Sequence, residues 1–423
     1  MLDINFIKNN IETIKKTIKD KGIKLNIDLL LKLDEKRRNL QKNIDNKRHQ
    51  QKVAQNKKNI KEATKIKEEI KKLEKELDNI EKDYKNLMLL VPNIYSPDTP
   101  VGEDEKQNKE ILRWGGIPKF NFKIKNHIEI GKELDLIDLE SGAKSSGFRG
   151  YYLKNELVLV HFALLWHAIL KLYQKGFLLM LPPVILKEFA LIGSGHFPFG
   201  KEDIYQIANP GKLGDGKEIK DSLYLAGTSE PSVLAYFADK ILDEKELPIK
   251  IGAISPCFRS EVGSYGKDTK GLYRIHEFWK VEQVVLCQDS VEISNRILEE
   301  LKDNACEILK ELNLPFRVIQ ICTGDMGPGK YKMYDIETWM PSRNSFGETH
   351  SDSNLTDWQA RRLNIKYRTK DGKKKFVFTL NNTMLASPRI LIAILENYQR
   401  EDGSILIPEV IQKYLPFKEI KRK

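Results

Sequence analysis

The chain has 423 residues, 31% of them charged and 40% hydrophobic, and a net charge of +11. That length calls for two or three folding units with sizeable cores, and the balance is too apolar for a disordered chain and too charged for a membrane protein. No uninterrupted apolar run of about eighteen residues is present. Met1-Leu2-Asp3-Ile4-Asn5 lacks the basic start and apolar stretch of a secretory signal, so a cytoplasmic protein without membrane contact is expected.

Residues 1–90 hold 24 Lys and Arg against 15 Asp and Glu, which is +9 of the total. Such an excess suits a polyanionic partner, and equally a solvated helical surface. Leu29, Leu33, Leu40 and Ile44 recur in a heptad rhythm, as do Ile66, Ile70, Leu73, Leu77, Ile80, Tyr84, Leu87 and Val91. The polar stretch Gln55-Asn56-Lys57-Lys58-Asn59 separates the two runs, so the pattern predicts an antiparallel two-helix hairpin. Each helix of roughly 28 residues would extend about 40 Å. A dimerising coiled coil is the competing reading. Too few heptads and a central turn weigh against it, and Pro92 stops the second helix. Ser96 to Gln107, rich in Pro, Gly and acid, reads as a linker. The boundary is placed near residue 105, giving a helical arm with linker over 1–105 and a compact domain over 106–423.

Beyond the linker, Ile249–Ile254, Val281–Leu286, Phe316–Ile319 and Phe376–Leu380 have strand character. Helices are expected over Val158–Lys175, Val291–Leu312 and Pro388–Arg400. Several strands follow one another with no helix between them, which predicts an α+β fold on a largely antiparallel sheet flanked by helices. Neither a P-loop nor a Rossmann fingerprint stands in a strand-to-helix setting. Cys257, Cys287, Cys306 and Cys322 are widely spaced and read as reduced structural residues, so no zinc is expected.

Chemistry concentrates in Phe258-Arg259-Ser260-Glu261, a polar loop over Val262 to Tyr273, and Arg274-Ile275-His276-Glu277-Phe278-Trp279-Lys280-Val281-Glu282. A loop of that length between strands is usually functional. If the flanks are strands, Arg259 and Glu261 share one face, where a guanidinium can hold phosphate and a carboxylate can accept from an amine. Phe278 and Glu282 share a face on the return.

This stretch resembles motif 2 of class II aminoacyl-tRNA synthetases, and specifically that of the seryl-tRNA synthetases of bacterial and organellar type. Thr228-Ser229-Glu230 is similar to the family's T-x-E element. Glu348-Thr349-His350-Ser351, Asp357-Trp358-Gln359-Ala360-Arg361-Arg362 and Thr379-Leu380-Asn381-Asn382-Thr383 with Ser387-Pro388-Arg389 resemble the region ending in motif 3. Arg113-Trp114-Gly115 matches the start of the catalytic domain, and Gly176-Phe177 with Pro182-Pro183-Val184-Ile185 resembles motif 1, the dimer element. The ordered set spans essentially the whole chain.

The resemblance implies activation of L-serine with ATP to seryl-adenylate and pyrophosphate, then transfer to the 3′ end of tRNA(Ser), and of tRNA(Sec) where present, by a homodimer whose arm binds the tRNA. It implies that Arg259 and Arg389 are catalytic, and that serine meets Thr228, Ser229, Glu230, Arg259, Glu282, Asn381 and Thr383. ATP would meet Arg259, Ser260, Glu261, Ile275, Phe278, Glu348, Thr349, His350, Ser351 and Arg389, with Mg2+ on Glu348 and Ser351. His276 and His350 lack a third ligand at metal spacing and read as structural. Lys267 and Lys270 are candidates for contact with the RNA acceptor end, or simply solvated. Two departures stand out: Asn382-Thr383-Met384 replaces Gly-Ser-Gly, and Ser351-Asp352-Ser353 replaces Ser-Cys-Ser.

Overall fold

The computed structural model describes every residue except 210, 213, 263–269 and 423. The chain divides into two compact units, Met1–Ile94 and Tyr95–Lys423.

In the first unit, two short helices, Ile4–Asn9 and Ile11–Asp20, precede α1 (Ile27–Asn56) and α2 (Ile60–Leu90). Asn26 and Asn59 start the long helices, each side chain accepting a first-turn backbone N–H, from Leu29 and Glu62 respectively. At 1.5 Å per residue each long helix spans about 45 Å. They run antiparallel, since Lys36 pairs with Glu76 at 3.0 Å and Lys47 with Glu69 at 2.6 Å. Ile44, Ala54, Ala63, Ile66, Ile70 and Leu77 form the seam. The start of α1 departs from the expected stripe: Leu30 is buried, whereas Leu29 is 45% exposed. One turn after Leu30 the inward position is Asp34, fully buried and paired with Lys8, Arg37 and Arg38. An inward carboxylate leaves no apolar mark, so counting leucines sets the stripe one residue early.

The second unit is built on an eight-stranded sheet: β1 (Lys109–Trp114), β2 (Leu178–Met180), β3 (Ile249–Phe258), β4 (Glu277–Cys287), β5 (Phe316–Gln320), β6 (Lys332–Met340), β7 (Ser345–Asn354) and β8 (Phe378–Ala386). The spatial order is β1-β5-β6-β7-β8-β4-β3-β2. Every pairing is antiparallel except that of β2 with β3. Thus β8, the last of the eight in the chain, lies in the middle. The helices α3 (Glu156–Gln174), α5 (Val291–Glu311) and α6 (Ser387–Asn397) cover the sheet, and Leu164, Leu172, Leu298, Leu309, Val285 and Leu391 join one core.

By length and composition α3 could cross a membrane. It was not legible as an apolar run because Glu156, His161, His167 and Lys171 interrupt it. One face, with Leu157, Val160, Leu164 and Leu172, lies in the core, while Leu159, Phe162, Trp166 and Tyr173 are exposed on the other.

Residues 96–107 are tied to the second unit. Ser96 N–H donates to Tyr331 O at 2.8 Å, Thr323 N–H to Pro100 O at 2.9 Å, and Lys332 Nζ meets Asp98 Oδ2 at 2.6 Å. The division between units therefore falls at Ile94 and Tyr95 rather than near residue 105.

Candidate active site

One cavity gathers side chains from β4, β7, β8, the segment after β3, the helix α4 (Glu230–Tyr236, between β2 and β3 in the chain) and the first turn of α6. On one side stands Arg259. Its backbone N–H donates to His276 O at 2.9 Å, and His276 Nδ1 donates to Arg259 O at 2.9 Å, which closes the pairing just past the end of β3. Arg259 Nε donates to Gly227 O at 3.2 Å, and the guanidinium lies over the Phe278 ring at 5.3 Å. Strand alternation is not what brings Arg259 and Glu261 together. β3 ends at Phe258, and Glu261 has a left-handed backbone with φ 56°, yet both side chains line the cavity.

Arg389 sits in the first turn of α6, where Pro388 suits the helix start. Its Nη1 donates to Glu348 O at 2.8 Å and lies 3.2 Å from the Glu348 carboxylate, while Nε donates to Tyr273 O at 3.2 Å. Burial would push the Glu348 carboxyl up, but the charges of Arg389 and Arg259 outweigh it and hold it below the usual range. Behind it, Asp335 on β6 pairs in register with Ser351 on β7. Burial and the Glu348 charge push the Asp335 carboxyl well up, and its Oδ1 has no hydrogen-bond partner among the described residues.

The third wall is a polar pocket. Glu230 begins α4 and is buried. Its Oε1 accepts from Asn381 Nδ2 at 2.6 Å and from Gln359 Nε2 at 2.7 Å, and Gln359 Oε1 accepts from Thr379 Oγ1 at 2.7 Å. Hydrogen bonds to a charged acceptor contribute about 1.5–3 kcal/mol each, so this chain fixes the carboxylate firmly. Glu282 and Thr383 are cross-strand partners on β4 and β8. Burial pushes the Glu282 carboxyl up, and the neighbouring Lys280 ammonium, in contact with it, offsets part of that shift. Thr228 Oγ1 is buried without a hydrogen-bond partner among the described residues. Such a pocket can hold a small molecule carrying both an ammonium and a hydroxyl.

Thr228, Glu230, Arg259, Glu261, Ile275, Phe278, Glu282, Glu348, Thr349, His350, Ser351, Asn381, Thr383 and Arg389 all line the one cavity. Ser229 and Ser260 do not. Ser229 Oγ bonds Ser255 Oγ at 2.8 Å, and Ser260 Oγ donates to Glu202 O at 2.6 Å. His350 is buried and bonded to Thr349 Oγ1 at 2.8 Å, and burial pushes it down to about 3. It stays neutral. Lys267 lies outside the described residues, and Lys270 is exposed.

Residues that sequence reasoning passed over also line the cavity: His196, Tyr273, Arg274, Lys280 and Lys330. Lys280 was within reach, because Phe278, Lys280 and Glu282 alternate along one strand face. His196, which burial holds down at about 4, shares a hydrogen bond with Ser194 Oγ at 2.8 Å and carried no pattern.

The two departures prove to be neighbours. Asp352 and Asn382 are register partners on β7 and β8. Both Asp352 oxygens and Asn382 Nδ2 are buried without a hydrogen-bond partner among the described residues. Burial pushes the Asp352 carboxyl well above the usual range, only partly offset by the nearby Asn382 amide. A carboxyl whose folded pKa is raised favours folding most below its unfolded value of about 3.9, and that contribution is lost as pH rises through the folded value. Asp352→Asn should therefore melt at a higher temperature than the parent at about pH 8, with the gap narrowing towards about pH 5. A gap independent of pH in thermal melts would mean that Asp352 is ionised in the fold.

Comparison with known proteins converges on one family. Residues 1–95 match the seryl-tRNA synthetase N-terminal domain, and residues 212–398 match the tRNA synthetase class II core domain (G, H, P, S and T). The serine–tRNA ligase of Borrelia garinii subsp. bavariensis is 42% identical over 99% of this chain and 98% of its own length. That of Dictyoglomus turgidum is 42% identical over 100% of both. Among solved structures, seryl-tRNA synthetase from Pyrococcus horikoshii complexed with ATP superposes with a TM-score of 0.89 at 37% identity, covering 100% of each chain. Cytoplasmic serine-tRNA ligase from Naegleria fowleri in complex with AMP gives 0.86 at 32% identity, over 98% of this chain and 96% of that one. A largely antiparallel sheet backing a cavity lined by two arginines and buried carboxylates, a basic helical hairpin and full-length likeness at this level place the chain among the serine–tRNA ligases, enzymes of the class II aminoacyl-tRNA synthetase family.

Proposed function

We propose that the enzyme charges tRNA in two steps through a seryl-adenylate. The observation that carries this reading is that Arg259 and Arg389 line the same cavity as Glu230, Glu282 and Thr383, both close enough to act on the Glu348 carboxylate. Serine binds with its ammonium toward Glu230 and Thr228 and its hydroxyl between Glu282 and Thr383. Its carboxylate and the α-phosphate of ATP share Arg259, whose planar guanidinium bridges two oxyanions that must approach one another. Arg389 holds the γ-phosphate, aided by the N-terminus of α6. Phe278 stacks on the adenine and Glu261 accepts from its amino group. The serine carboxylate is already anionic and attacks the α-phosphorus, breaking the α–β phosphoanhydride bond and releasing pyrophosphate, so positioning and charge neutralisation carry the step and no side-chain nucleophile is needed.

Glu348 and Ser351 would hold magnesium that enters with ATP, with Asp335 behind them. The oxygen-only donors and the orphaned Asp335 Oδ1 fit a hard cation. Bound there, the ion would neutralise phosphate charge. The basic α1–α2 hairpin takes the RNA, tRNA(Ser) and tRNA(Sec) where that exists. The exposed apolar face of α3, continued by Leu178, Leu181, Ile185 and Phe189, meets a second copy of the chain. Four buried, unbridged cysteines suit a reducing cytoplasm.

Serine-dependent ATP–pyrophosphate exchange tests the reading. Alanine should support it about 10⁴-fold less well in kcat/KM, because it leaves Glu282 and Thr383 unpaired. Threonine, excluded only by a methyl group, should be rejected less strongly. Alanine exchange comparable to that with serine would rule out this pocket as the hydroxyl reader.

A further inference from the structure

A left-handed backbone is uncommon for a residue bearing a Cβ and clusters at functional sites. Glu261 adopts it at the cavity wall with φ 56°, and Arg149 adopts it with φ 68° in the loop after the helix Leu139–Ser146. The two are joined. Arg149 Nη1 donates to the Glu261 backbone O at 3.3 Å and lies 3.8 Å from the Glu261 carboxylate. The Arg149 side chain is 4% exposed, so its guanidinium is built into the wall. Its loop is held tightly as well. A Cβ on Gly150 would come within 2.4 Å of Gly142 O, and one on Gly142 within 2.4 Å of the Tyr151 backbone, so loop and helix touch through two glycines. Tyr151 Oη donates to Glu277 O at 3.1 Å, fastening the loop to β4. Arg274 Nη1 reaches the same Glu261 carboxylate oxygen at 3.2 Å.

We propose that Arg149 is a positioning residue for the adenine side of the nucleotide site: by gripping the Glu261 carbonyl it fixes the left-handed turn and aims the carboxylate at the base amino group. The inference rests on the proposed role of Glu261. Without Arg149, Glu261 relaxes toward an ordinary backbone conformation and its carboxylate swings off the base. The phosphate and serine sides are untouched, because neither Arg259 nor the Glu230 chain of hydrogen bonds runs through Arg149.

The test is pyrophosphate exchange with ATP and with purine riboside triphosphate, which lacks the 6-amino group, in the parent, Arg149→Met, Arg149→Lys and Glu261→Ala. Arg149→Met should lose about tenfold or more in kcat/KM for ATP, mainly through KM for ATP. It should change little with the deamino nucleotide, so the preference for ATP collapses while KM for serine holds. Arg149→Lys keeps the charge but not the fork and should fall between. Equal losses with both nucleotides would reduce Arg149 to a structural role and overturn the inference. So would an unchanged preference in Arg149→Met alongside a collapsed one in Glu261→Ala. An unchanged preference in Glu261→Ala would remove the reading of Glu261, and the inference with it. Should Arg149→Met fail to fold, Arg149→Lys decides: a folded protein with parental preference overturns the proposal.

Discussion

Arg259→Ala should lose about 10²–10³-fold or more of the serine-dependent exchange rate while melting within a few degrees of the parent. The side chain stands in the cavity over Phe278, and among the described residues its one hydrogen bond is to the Gly227 carbonyl. Its removal therefore costs the fold little. For the proposed reaction it removes the planar donor assigned to two anions: Arg389 is already engaged by Glu348 and Tyr273, and the lysines of the lining, Lys280 and Lys330, have no planar fork. Arg259→Lys keeps the charge but loses the planar fork and should recover only a small part of the rate. A folded Arg259→Ala enzyme with parental exchange would take Arg259 out of the phosphate chemistry.

Removing residues 1–94 should leave exchange within a few-fold of the parent and cut tRNA charging by about 10³-fold or more. Every residue lining the cavity belongs to the second unit, which has its own core. The first unit supplies instead a pair of helices of about 45 Å within a segment, residues 1–90, that holds +9 of the net charge of +11, the kind of surface that binds an RNA backbone by releasing counterions. In the intact enzyme, raising salt should accordingly weaken charging far more than exchange. The truncated protein should sediment with the mass of two chains, since the apolar face of α3 remains. Charging that survives truncation would show that the hairpin is not the tRNA reader, and a single-chain mass would exclude the α3 face as a dimer surface.

Much of this was legible in the sequence because periodicity and chemistry coincided. The heptads of α2, uninterrupted from Ile66 to Leu87, predict the observed helix and its turn, and the apolar runs at Ile249–Ile254 and Val281–Leu286 are strands of a sheet covered on both faces, the second buried at every residue. Where function overrides pattern, the reading failed. β7, Ser-Phe-Gly-Glu-Thr-His-Ser-Asp-Ser-Asn, is a central strand with almost no apolar signal, since Glu348 to Ser351 line the cavity and its buried side chains make polar contacts such as Thr349 to Thr338. Ser229 and Ser260 were carried into the site by motif position, but a motif fixes backbone placement and leaves open which way a small hydroxyl turns. Gln359 and Arg149 act from behind other residues, and support of that kind leaves no local spacing to read.

The middle position of β8 has a consequence for how the protein is made. The strands synthesised earlier form two partial sheets, β1-β5-β6-β7 and β4-β3-β2, each ending in an edge that only β8 can pair. While the ribosome is still working toward residue 386 those two edges stay open, and open edges invite pairing with other chains. Arg389 arrives just behind β8. The nascent chain thus closes its sheet and brings Arg389 to the cavity almost together, and a transcript cut short upstream of β8 would yield an unpaired, aggregation-prone product rather than a weak enzyme.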